Sequence, residues 1–431
     1  MVKKNQTATV TVLDMNSLGY GIAKTDGFVT FVQGGVTGDC ARVKIIKVAK
    51  DYAVAKVEEI LTPSPYRREP GCSSFPQCGG CSFRNLDRAY ELKLKKEFVR
   101  AAFHKNRLDP DINDVLTDGE ADGYRNKVQY PVAPDGSFGY YARHSHRIVP
   151  ASACPLSDPA LLPLTGFASD YIKQTGAEVR HIYLRRARAT GQTMFCLVSK
   201  TPTLPKEEAL VADLTSRFPE VKSVVLNFHP EESNIILGEK QRILYGEDLI
   251  EDILCGFRFG ISSRSFYQVN RGAAELLYRE AIRRGSADGP STLADLYCGA
   301  GTIGLCFAGS VPGLSVTGVE IVPEAVENAK RNAERNGIDG ARFLCGDATA
   351  LPLEGFDCIV TDPPRKGLSR ELTEKLLSCR PHKLVYVSCE PGTLARDAAL
   401  LIQAGYTMGD VTPVDMFPRT GAVECVTDFV I

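Results

Sequence analysis

A single cysteine near residue 390 stands where a nucleophile could act. Cys389 closes the apolar stretch KLVYVSC, and Glu-Pro-Gly follows it at the start of a predicted helix. A thiol at the carboxyl end of a strand, just ahead of a helix N-terminus, is expected to have a lowered pKa and to be nucleophilic. A buried, inert thiol is the alternative, and it fits most of the 14 cysteines in the chain. Its position makes Cys389 the candidate nucleophile.

A carboxylate further along the chain could act as a general base beside that thiol. Glu424 precedes the apolar run CVTDFV, where a strand edge is predicted. A thiolate that adds to carbon 6 of a pyrimidine makes carbon 5 nucleophilic, and a base must later remove the carbon-5 proton. Taken alone, Glu424 fits a solvated carboxylate at a strand end better than a catalytic one.

The turn after the predicted strand TLADLYC is rich in glycine and opens a helix. It reads G-x-G-x-x-G over residues 299–304, a pattern that lets the backbone approach a ligand and offers free N–H groups at the helix N-terminus. Glu320 ends the next predicted strand, where its carboxylate could accept hydrogen bonds from ribose hydroxyls. These features fit an NAD-dependent enzyme as well as one that uses S-adenosylmethionine.

Acidic residues at the ends of two further strands separate those alternatives. Asp362 ends the fourth predicted strand and is followed by two prolines. A dehydrogenase does not need this rigid acidic turn, whereas S-adenosylmethionine enzymes that act on bases often have one; a turn-forming Asp before Pro is the structural alternative. Arg365 and Lys366 follow where an aromatic residue would indicate methylation of an exocyclic amine, and their charges suit phosphate. Asp347 ends the third strand and could meet a purine amino group.

Taken together, these motifs resemble the RNA uracil-5-methyltransferase family, in particular its members with a TRAM domain and an iron–sulfur cluster. The matching segments are FYQVN, DLYCGAGTIGL, TDPPRKGL, VSCEPGTLARD and GAVECV, which start at residues 266, 295, 361, 387 and 421. The amino-terminal GYGIA segment is similar to TRAM, so the resemblance extends over nearly the whole chain. Glu390 departs from the family pattern, in which Asn is common at that position.

The resemblance implies methyl transfer from S-adenosylmethionine to carbon 5 of a uridine in RNA. It implies Cys389 as nucleophile and Glu424 as base, with Gln268, Tyr297, Glu320 and Asp362 as cofactor contacts; Asp347 is added from strand position alone. Within the family, a TRAM domain with a cluster is typical of enzymes for 23S ribosomal RNA, which is the expected substrate. Transfer RNA is the alternative substrate, and a catalytically silent iron–sulfur RNA-binding assembly factor is the alternative function.

Three cysteines lie close together in the sequence, and a fourth follows at a distance. Their order is Cys72-x5-Cys78-x2-Cys81, with Cys154 before a proline much later. Zinc ribbons usually supply two separated cysteine pairs, whereas three local ligands and one distant ligand are more typical of a 4Fe–4S site. The resemblance implies the same cluster, with four protein ligands and no open iron. Zinc remains the alternative.

The elements that must position these residues fall into three predicted parts. Residues 1–61 alternate apolar and polar with Gly at the turns, which predicts an OB-like β-barrel of the TRAM type that binds RNA. Residues 62–255 begin with a Pro-rich link and are expected to form a central α+β domain with the iron–sulfur site and RNA contacts. Residues 256–431 alternate strand and helix, which predicts a doubly wound, Rossmann-like methyltransferase domain with ligands at the carboxyl ends of its strands.

Charge is distributed unevenly along the chain. Lys and Arg outnumber Asp and Glu by 22 to 17 over residues 1–155 and are outnumbered by 29 to 35 in the remainder. A basic front suits contact with nucleic acid, and chance scatter is an equal alternative. Several cations could hold an RNA backbone, although the lysines fit a solvated helix face equally well: Arg67, Arg68, Arg84, Arg88, Lys93, Lys95 and Lys96.

The sequence offers no signal for a membrane or for export. No run of 18 apolar residues is present, and the amino-terminal MVKKNQTATV has no apolar h-region. These features predict a cytoplasmic protein with no membrane contact. Nothing in the sequence implies an obligate protein partner.

Overall fold

A computed structural model describes residues 2–143, 145–151, 153–231 and 233–431. Within these residues the strands form three larger sheets and two separate hairpins. The three sheets follow one another along the chain, and the third carries the candidate catalytic residues. No helix in the described part is both long and apolar enough to cross a membrane.

The amino-terminal strands close into a small barrel. They are β1 (Thr7–Thr11), β2 (Asp14–Met15), β3 (Tyr20–Thr25), β4 (Phe28–Gln33), β5 (Cys40–Val48) and β6 (Ala53–Thr62). Their order is β1-β5-β6-β4-β3-β2, with only β4 and β6 parallel. The Leu13 N–H, between β1 and β2, donates to the Ile22 carbonyl of β3 at 2.7 Å, so the sheet returns on itself. Every second residue at the start of β5 is buried inside the barrel, including Ala41 and Val43, which explains the alternating sequence.

The central part is a five-stranded mixed sheet with an added hairpin. Its elements are α1 (Arg88–Lys105), β7 (Lys127–Pro131), β8 (Gly139–Tyr141), β9 (Ile148–Pro150), α2 (Leu162–Thr175), β10 (Val179–Arg186), β11 (Thr193–Ser199), α3 (Glu207–Arg217), β12 (Val221–Phe228) and β13 (Lys240–Gly246). The sheet order is β13-β12-β11-β10-β7, and β8 pairs with β9. Every residue of β11 is buried, because α2 and α3 cover one face of the sheet and the carboxyl-terminal part covers the other.

The carboxyl-terminal part is a doubly wound sheet preceded by a hairpin. Its elements are β14 (Leu249–Leu254), β15 (Phe257–Ser262), α4 (Arg271–Gly285), β16 (Thr292–Leu296), α5 (Thr302–Ser310), β17 (Ser315–Glu320), α6 (Pro323–Arg335), β18 (Ala341–Cys345), β19 (Cys358–Thr361), α7 (Arg370–Cys379), β20 (Lys383–Ser388), α8 (Pro391–Gln403), β21 (Thr407–Met408), β22 (Thr412–Val414) and β23 (Glu424–Val430). The order is β18-β17-β16-β19-β20-β23-β21, and β22 also pairs with β23. The strand order reverses between β16 and β19, and open α/β sheets bind ligands at such a point.

Helix α1 belongs to the central segment of the chain but packs on the carboxyl-terminal sheet. Its Val99 and Phe103 are fully buried among side chains of α7 and α8. One turn earlier, the buried Lys95 ammonium pairs with Asp415 and lies 3.6 Å from Glu91. Arg88 also pairs with Asp415. Buried charges need such partners, since an unpaired one is costly; these contacts fix α1 to the segment before β23.

The predicted role of the basic residues in holding RNA is wrong for two of them. Lys95 is fully buried, and Arg84 is 7% exposed and bound to Asp122. Neither side chain can reach a phosphate. The alternative prediction, that Lys95 lies on a solvated helix face, is also wrong. The other cations that pair with carboxylates are Arg67 with Asp39, Arg68 with Asp87, Arg88 with Asp415 and Lys96 with Asp114. Lys93 is exposed on α1.

Candidate active site

Most of the predicted site residues meet at one edge of the carboxyl-terminal sheet. Strands β16 to β20 are parallel, so the residues that end or follow them lie along the same edge: Tyr297, Glu320, Asp347, Asp362 and Cys389. β23 is antiparallel to β20, so its first residue, Glu424, lies at that edge too. The strand topology therefore gathers residues that are more than 120 positions apart in the sequence.

Cys389 and Glu424 face each other across two neighbouring strands. The last pair in the register of β20 and β23 is Ser388 with Cys425, so the next position sets Cys389 opposite Glu424. Residues directly opposite in an antiparallel pair have Cβ atoms about 5 Å apart and point to the same face. Glu390 caps α8 just beyond the thiol, with its Oε1 accepting from the Gly392 N–H at 3.4 Å. A thiol and a carboxylate thus share one small space.

Burial and nearby carboxylates, rather than the helix N-terminus, determine the pKa of the Cys389 thiol. Burial raises its pKa to about 11, and the charges of Glu424 and Asp362 add to the rise. The predicted lowering of this pKa is therefore wrong. Burial, together with the charges of the two acidic neighbours, outweighs the free N–H groups at the start of α8.

The carboxyl groups of Glu424 and Asp362, which act on this thiol, are themselves hard to ionise. Glu424 is 4% exposed, and burial raises its pKa to about 8, with a further contribution from Asp362. Burial also raises the pKa of Asp362 to about 7. Arg365 opposes these effects, because its charge lowers the pKa of both Cys389 and Glu424. Perturbed groups clustered in this way are typical of catalytic sites.

The glycine-rich turn after β16 forms an open cradle. Gly299 has φ of +55°, and a Cβ added there would meet no atom within 4 Å. Its N–H donates to Oε2 of Glu320 at 3.1 Å, while Oε1 of Glu320 accepts from Val322 at 3.0 Å. Behind the turn, the buried Asp295 accepts from the Gly304 N–H at 2.8 Å. The backbone is thus held in place while the space in front of it is left free for a ligand.

Two apolar residues beside Glu320 were not predicted as site residues. Ile321 is 64% exposed and Val322 is 49% exposed, directly after the β17 carboxylate. Exposed aliphatic side chains next to a carboxylate that is predicted to bind ribose suit the face of a purine ring. The sequence signal for these two residues was an apolar pair directly after the acidic residue that ends the strand.

The other predicted cofactor contacts occupy different positions around this cradle. Asp347 is exposed and its Oδ1 caps a short turn, accepting from the Thr349 N–H and hydroxyl at 2.8 and 2.6 Å. Tyr297 is half-buried with φ of +64°. Gln268 is 6% exposed and lies in the connection between β15 and α4, where its carbonyl accepts from Asn126 at 3.0 Å. That connection joins the central sheet to the catalytic edge.

The segment before Glu424 contacts both of the other parts of the molecule. The N–H groups of Ser82 and Phe83 both donate to the Arg419 carbonyl, at 2.9 and 3.0 Å. A Cβ at Gly421 would overlap the backbone of Ser17 in the barrel. Sequence motifs near residue 424 gave no sign of these contacts, because both partners lie more than 330 positions away.

The four predicted cluster cysteines gather beside this segment. Burial, followed by the charge of Cys154, raises the pKa of Cys81 to about 12. Burial and the charges of Cys154 and Cys72 raise the pKa of Cys78. In the described part of the chain, however, no three Cys, His, Asp or Glu side chains stand in an arrangement that could hold a metal ion. The predicted 4Fe–4S site is not confirmed by this geometry.

Three family models match separate parts of the chain. The TRAM domain matches residues 2–57, a methyltransferase domain matches residues 289–386, and tRNA (uracil-5-)-methyltransferase matches residues 347–427. The last model spans Asp362, Cys389 and Glu424. The predicted barrel and methyltransferase domains are therefore confirmed as domain types.

Relatives cover nearly the full length of the chain. RNA methyltransferases described as uncharacterized are 37% identical in Clostridium acetobutylicum and 38% identical in Listeria monocytogenes, over 99% of this chain and 97% and 98% of theirs. Among solved structures, a tRNA (uracil-54, C5)-methyltransferase of Pyrococcus abyssi in complex with S-adenosyl-L-homocysteine has a TM-score of 0.83. It is 25% identical, over 98% of this chain and 99% of that one.

Proposed function

The chain belongs to the RNA uracil-5-methyltransferase family, and from this premise we propose that it methylates carbon 5 of a uridine in 23S ribosomal RNA through a covalent bond from Cys389 to carbon 6. It is an S-adenosylmethionine-dependent RNA methyltransferase. The observation that carries the proposal is the register of β20 and β23, which sets the thiol of Cys389 opposite the carboxylate of Glu424. Addition to carbon 6 and removal of the carbon-5 proton need that pair around one base.

The proposed steps use the two side chains in sequence. The half-buried Cys389 loses its proton to water and attacks carbon 6, and the electron pair of the C5=C6 bond moves to carbon 5 and the neighbouring carbonyl. Bound S-adenosylmethionine supplies the electrophilic methyl group for carbon 5. Glu424 then removes the carbon-5 proton, and the electrons of that C–H bond restore C5=C6 and expel the thiolate.

The residues around the cradle fit the cofactor. Gly299 leaves room for a ligand against the backbone, and Glu320 is placed to accept hydrogen bonds from ribose hydroxyls. Ile321 and Val322 offer an apolar surface for the adenine. We assign the remaining contacts to Gln268, Tyr297, Asp347 and Asp362. Asp347 keeps its place because it follows the end of β18 by two residues, at the same edge of the sheet.

We assign a 4Fe–4S cluster to Cys72, Cys78, Cys81 and Cys154. The mutual electrostatic effects among their thiols support the assignment, and four thiolates are the usual ligand set of such a cluster. Its role is structural, because the cysteine loop donates two hydrogen bonds to the segment before Glu424. Iron and sulfide analysis of anaerobically purified protein tests this: four irons are expected, and stoichiometric zinc would replace the cluster in the assignment.

A transfer RNA substrate is the second candidate, supported by the P. abyssi tRNA methyltransferase, whose fold matches over 98% of this chain. The test is incubation with methyl-tritiated S-adenosylmethionine and unmodified transcripts of 23S ribosomal RNA and of transfer RNA, separately. The proposal expects 5-methyluridine in the ribosomal transcript alone. Label in transfer RNA alone would retain the chemistry and replace the substrate. A protein that binds cofactor but labels neither RNA would contradict both candidates and favour the silent RNA-binding alternative.

A further inference from the structure

A cavity of about 1030 Å³ opens on the central sheet, apart from the catalytic edge. The ends of β7 and β10 line it, together with the β8–β9 hairpin, residues 176–178 and residues 233–236. Its volume is at the upper end of the range for small-molecule sites, about 300 to 1,000 Å³. The proposed chemistry at Cys389 does not use this cavity, so its lining requires a separate explanation.

The lining combines cations with an exposed aromatic ring. Arg180 and Lys200 contribute positive charge and Glu178 contributes one negative charge. The guanidinium of Arg180 donates to the carbonyls of His229 and Ser233, at 3.4 and 3.1 Å, which fixes it at the wall. Tyr141 is 41% exposed in β8 and meets His146 edge to face, with ring centroids 5.5 Å apart. A cationic wall beside an exposed ring suits a phosphate linked to a planar base.

A buried histidine lines this cavity. His181 is 6% exposed, and its Nδ1 has no hydrogen-bond partner within the described residues. Burial, followed by the charges of Arg180 and His229, lowers its pKa to about 4. The ring is therefore neutral near pH 7, with one nitrogen a donor and the other an acceptor.

Contacts link the hairpin that lines the cavity to the segment before Glu424. On the hairpin that lines it, Arg143 donates to the carbonyls of Leu18 in the barrel and Cys81 in the cysteine loop, at 2.9 and 2.5 Å. The neighbouring Ser17 contacts Gly421, three residues before Glu424. Along β10, His181 lies about 13 Å from Arg185, which binds the segment leading to Gln268.

We propose that this cavity holds one unpaired nucleotide of the RNA substrate, with its base against Tyr141 and His181 and its phosphate against Arg180 and Lys200. The proposal rests on the proposed function in taking RNA as the ligand. An unpaired base presents a face for stacking, which matches the exposed ring of Tyr141. The uridine at Cys389 and this second nucleotide would together fix the position of the substrate.

The test compares two cavity variants with matched surface variants in binding of the unmodified 23S transcript. Tyr141→Ala is paired with Tyr245→Ala, since Tyr245 is 43% exposed on β13, and Lys200→Gln is paired with Lys222→Gln, an exposed lysine on β12. Each cavity variant should weaken RNA binding about five- to tenfold at constant salt, the effect of one lost stacking or phosphate contact. Both controls should bind like the unaltered protein, and all four should bind S-adenosylmethionine normally.

Photocrosslinking supplies a second readout that does not depend on altered residues. RNA substituted with 4-thiouridine should crosslink to the peptide containing Tyr141 and His146. Unchanged affinity of both cavity variants together with no crosslink there would overturn the proposal and leave a protein segment or small molecule as the occupant. If the cavity variants bind RNA more weakly but the unaltered protein methylates no RNA, the proposed function is contradicted instead. If both cavity variants methylate RNA normally with an unaffected KM for RNA, only the proposal for the cavity is contradicted.

Discussion

Three ionisable groups crowd the catalytic edge, and two of them, Cys389 and Glu424, change protonation in the proposed chemistry. Burial is the largest cause that raises their pKa values, to about 11 for Cys389, about 8 for Glu424 and about 7 for Asp362. Thiolate and carboxylate are the active forms of the nucleophile and base. Because each pKa lies above its usual value, the fraction of protein in the active form rises with pH through and beyond neutrality.

Arg365 is the residue through which this pH dependence can be tested. Its charge lowers the pKa of both Cys389 and Glu424, so Arg365→Gln should raise both and move the pH–rate profile to higher pH. At pH 7 the variant should be slower, and raising the pH should restore much of the rate. Initial rates with saturating RNA and cofactor measure this. The adjacent exposed Lys366→Gln should leave the profile in place, and an Arg365→Gln profile that keeps its midpoint would refute the assigned electrostatic role.

Glu424→Gln should separate the formation of the covalent adduct from its release. The amide cannot remove the carbon-5 proton, so turnover should fall about 10²- to 10⁴-fold while methylated RNA stays attached to Cys389. A denaturing gel should show protein-bound RNA carrying the labelled methyl group. Cys389→Ala should give neither product nor adduct, and Glu390→Gln, at the helix cap, should turn over without accumulating adduct. Release of free 5-methyluridine RNA at the normal rate would exclude Glu424 as the base.

Sequence motifs predicted Cys389 and Glu424 as nucleophile and base, but their ionisation behaviour could not be predicted. The position of Cys389 before α8 indicated a lowered pKa, whereas the folded chain places two carboxylates beside the thiol. One of them begins β23, whose pairing with β20 depends on contacts that no local pattern records. Local sequence thus predicted a role for each group, and long-range pairing determined its electrostatic surroundings.

At the scale of elements, the turn between β16 and α5 contains two glycines with different constraints. A Cβ at Gly299 would enter open space, whereas a Cβ at Gly301 would lie 2.9 Å from Phe343 and 3.1 Å from Ala329. Gly299→Ala should therefore weaken cofactor binding about tenfold and cost only about 1 kcal/mol from its positive φ. Gly301→Ala should lower the melting temperature more. Calorimetric titration and thermal melting distinguish them, and an equal loss of melting temperature without loss of affinity would contradict the cradle.

Two adjacent lysines on α1 allow a matched test of how this helix is anchored. Lys95 is fully buried against Asp415, whereas Lys96 pairs with an Asp114 side chain that is 99% exposed. Lys95→Met should lower the free energy of unfolding by about 3 kcal/mol, because buried carboxylates lose a partner. Lys96→Met should cost less than about 1 kcal/mol. Urea denaturation measures both, and equal midpoints for the two variants would show that the buried contact is not required.

The types of secondary-structure element could largely be predicted from the sequence, but some of the residues that pack against them could not. Alternation in β5 and regular strand–helix alternation after β15 predicted the barrel and the parallel sheet. A solvated helix face was one prediction for Lys93, Lys95 and Lys96, but whether Lys95 meets water or protein depends on Asp415. Because the partner lies 320 residues away, helical periodicity could not identify Lys95 as buried.

At the scale of the whole molecule, the barrel contacts the segment before Glu424 at Gly421. A Cβ at Gly421 would overlap Ser17, so Gly421→Ala should displace the barrel tip and weaken RNA binding while cofactor affinity stays normal. The control is Gly27→Ala, at a barrel turn with φ of +80° and no atom within 4 Å of an added Cβ. It should cost about 1 kcal/mol in stability and bind RNA normally. Equal RNA affinity for both variants would contradict a barrel contribution at this contact.

The arrangement of the three parts lies beyond what single-sequence patterns can predict. Each part has its own periodicity, but the contacts that orient them are few and specific, such as the bonds from Ser82 and Phe83 to Arg419. The cysteine spacing predicted that Cys72, Cys78, Cys81 and Cys154 would gather. It could not predict that their loop would adjoin the segment that leads into Glu424.

The position of β23 has a consequence for synthesis on the ribosome. β23 follows β20, β21 and β22 in the chain but pairs with all three. Until residues 424–430 leave the exit tunnel, β20 presents an unpaired edge, which is a template for aggregation in a nascent chain. The same seven residues bring Glu424, so sheet completion and acquisition of the proposed base coincide. A truncated chain released before this point would be a substrate for chaperones and proteases rather than a slower enzyme.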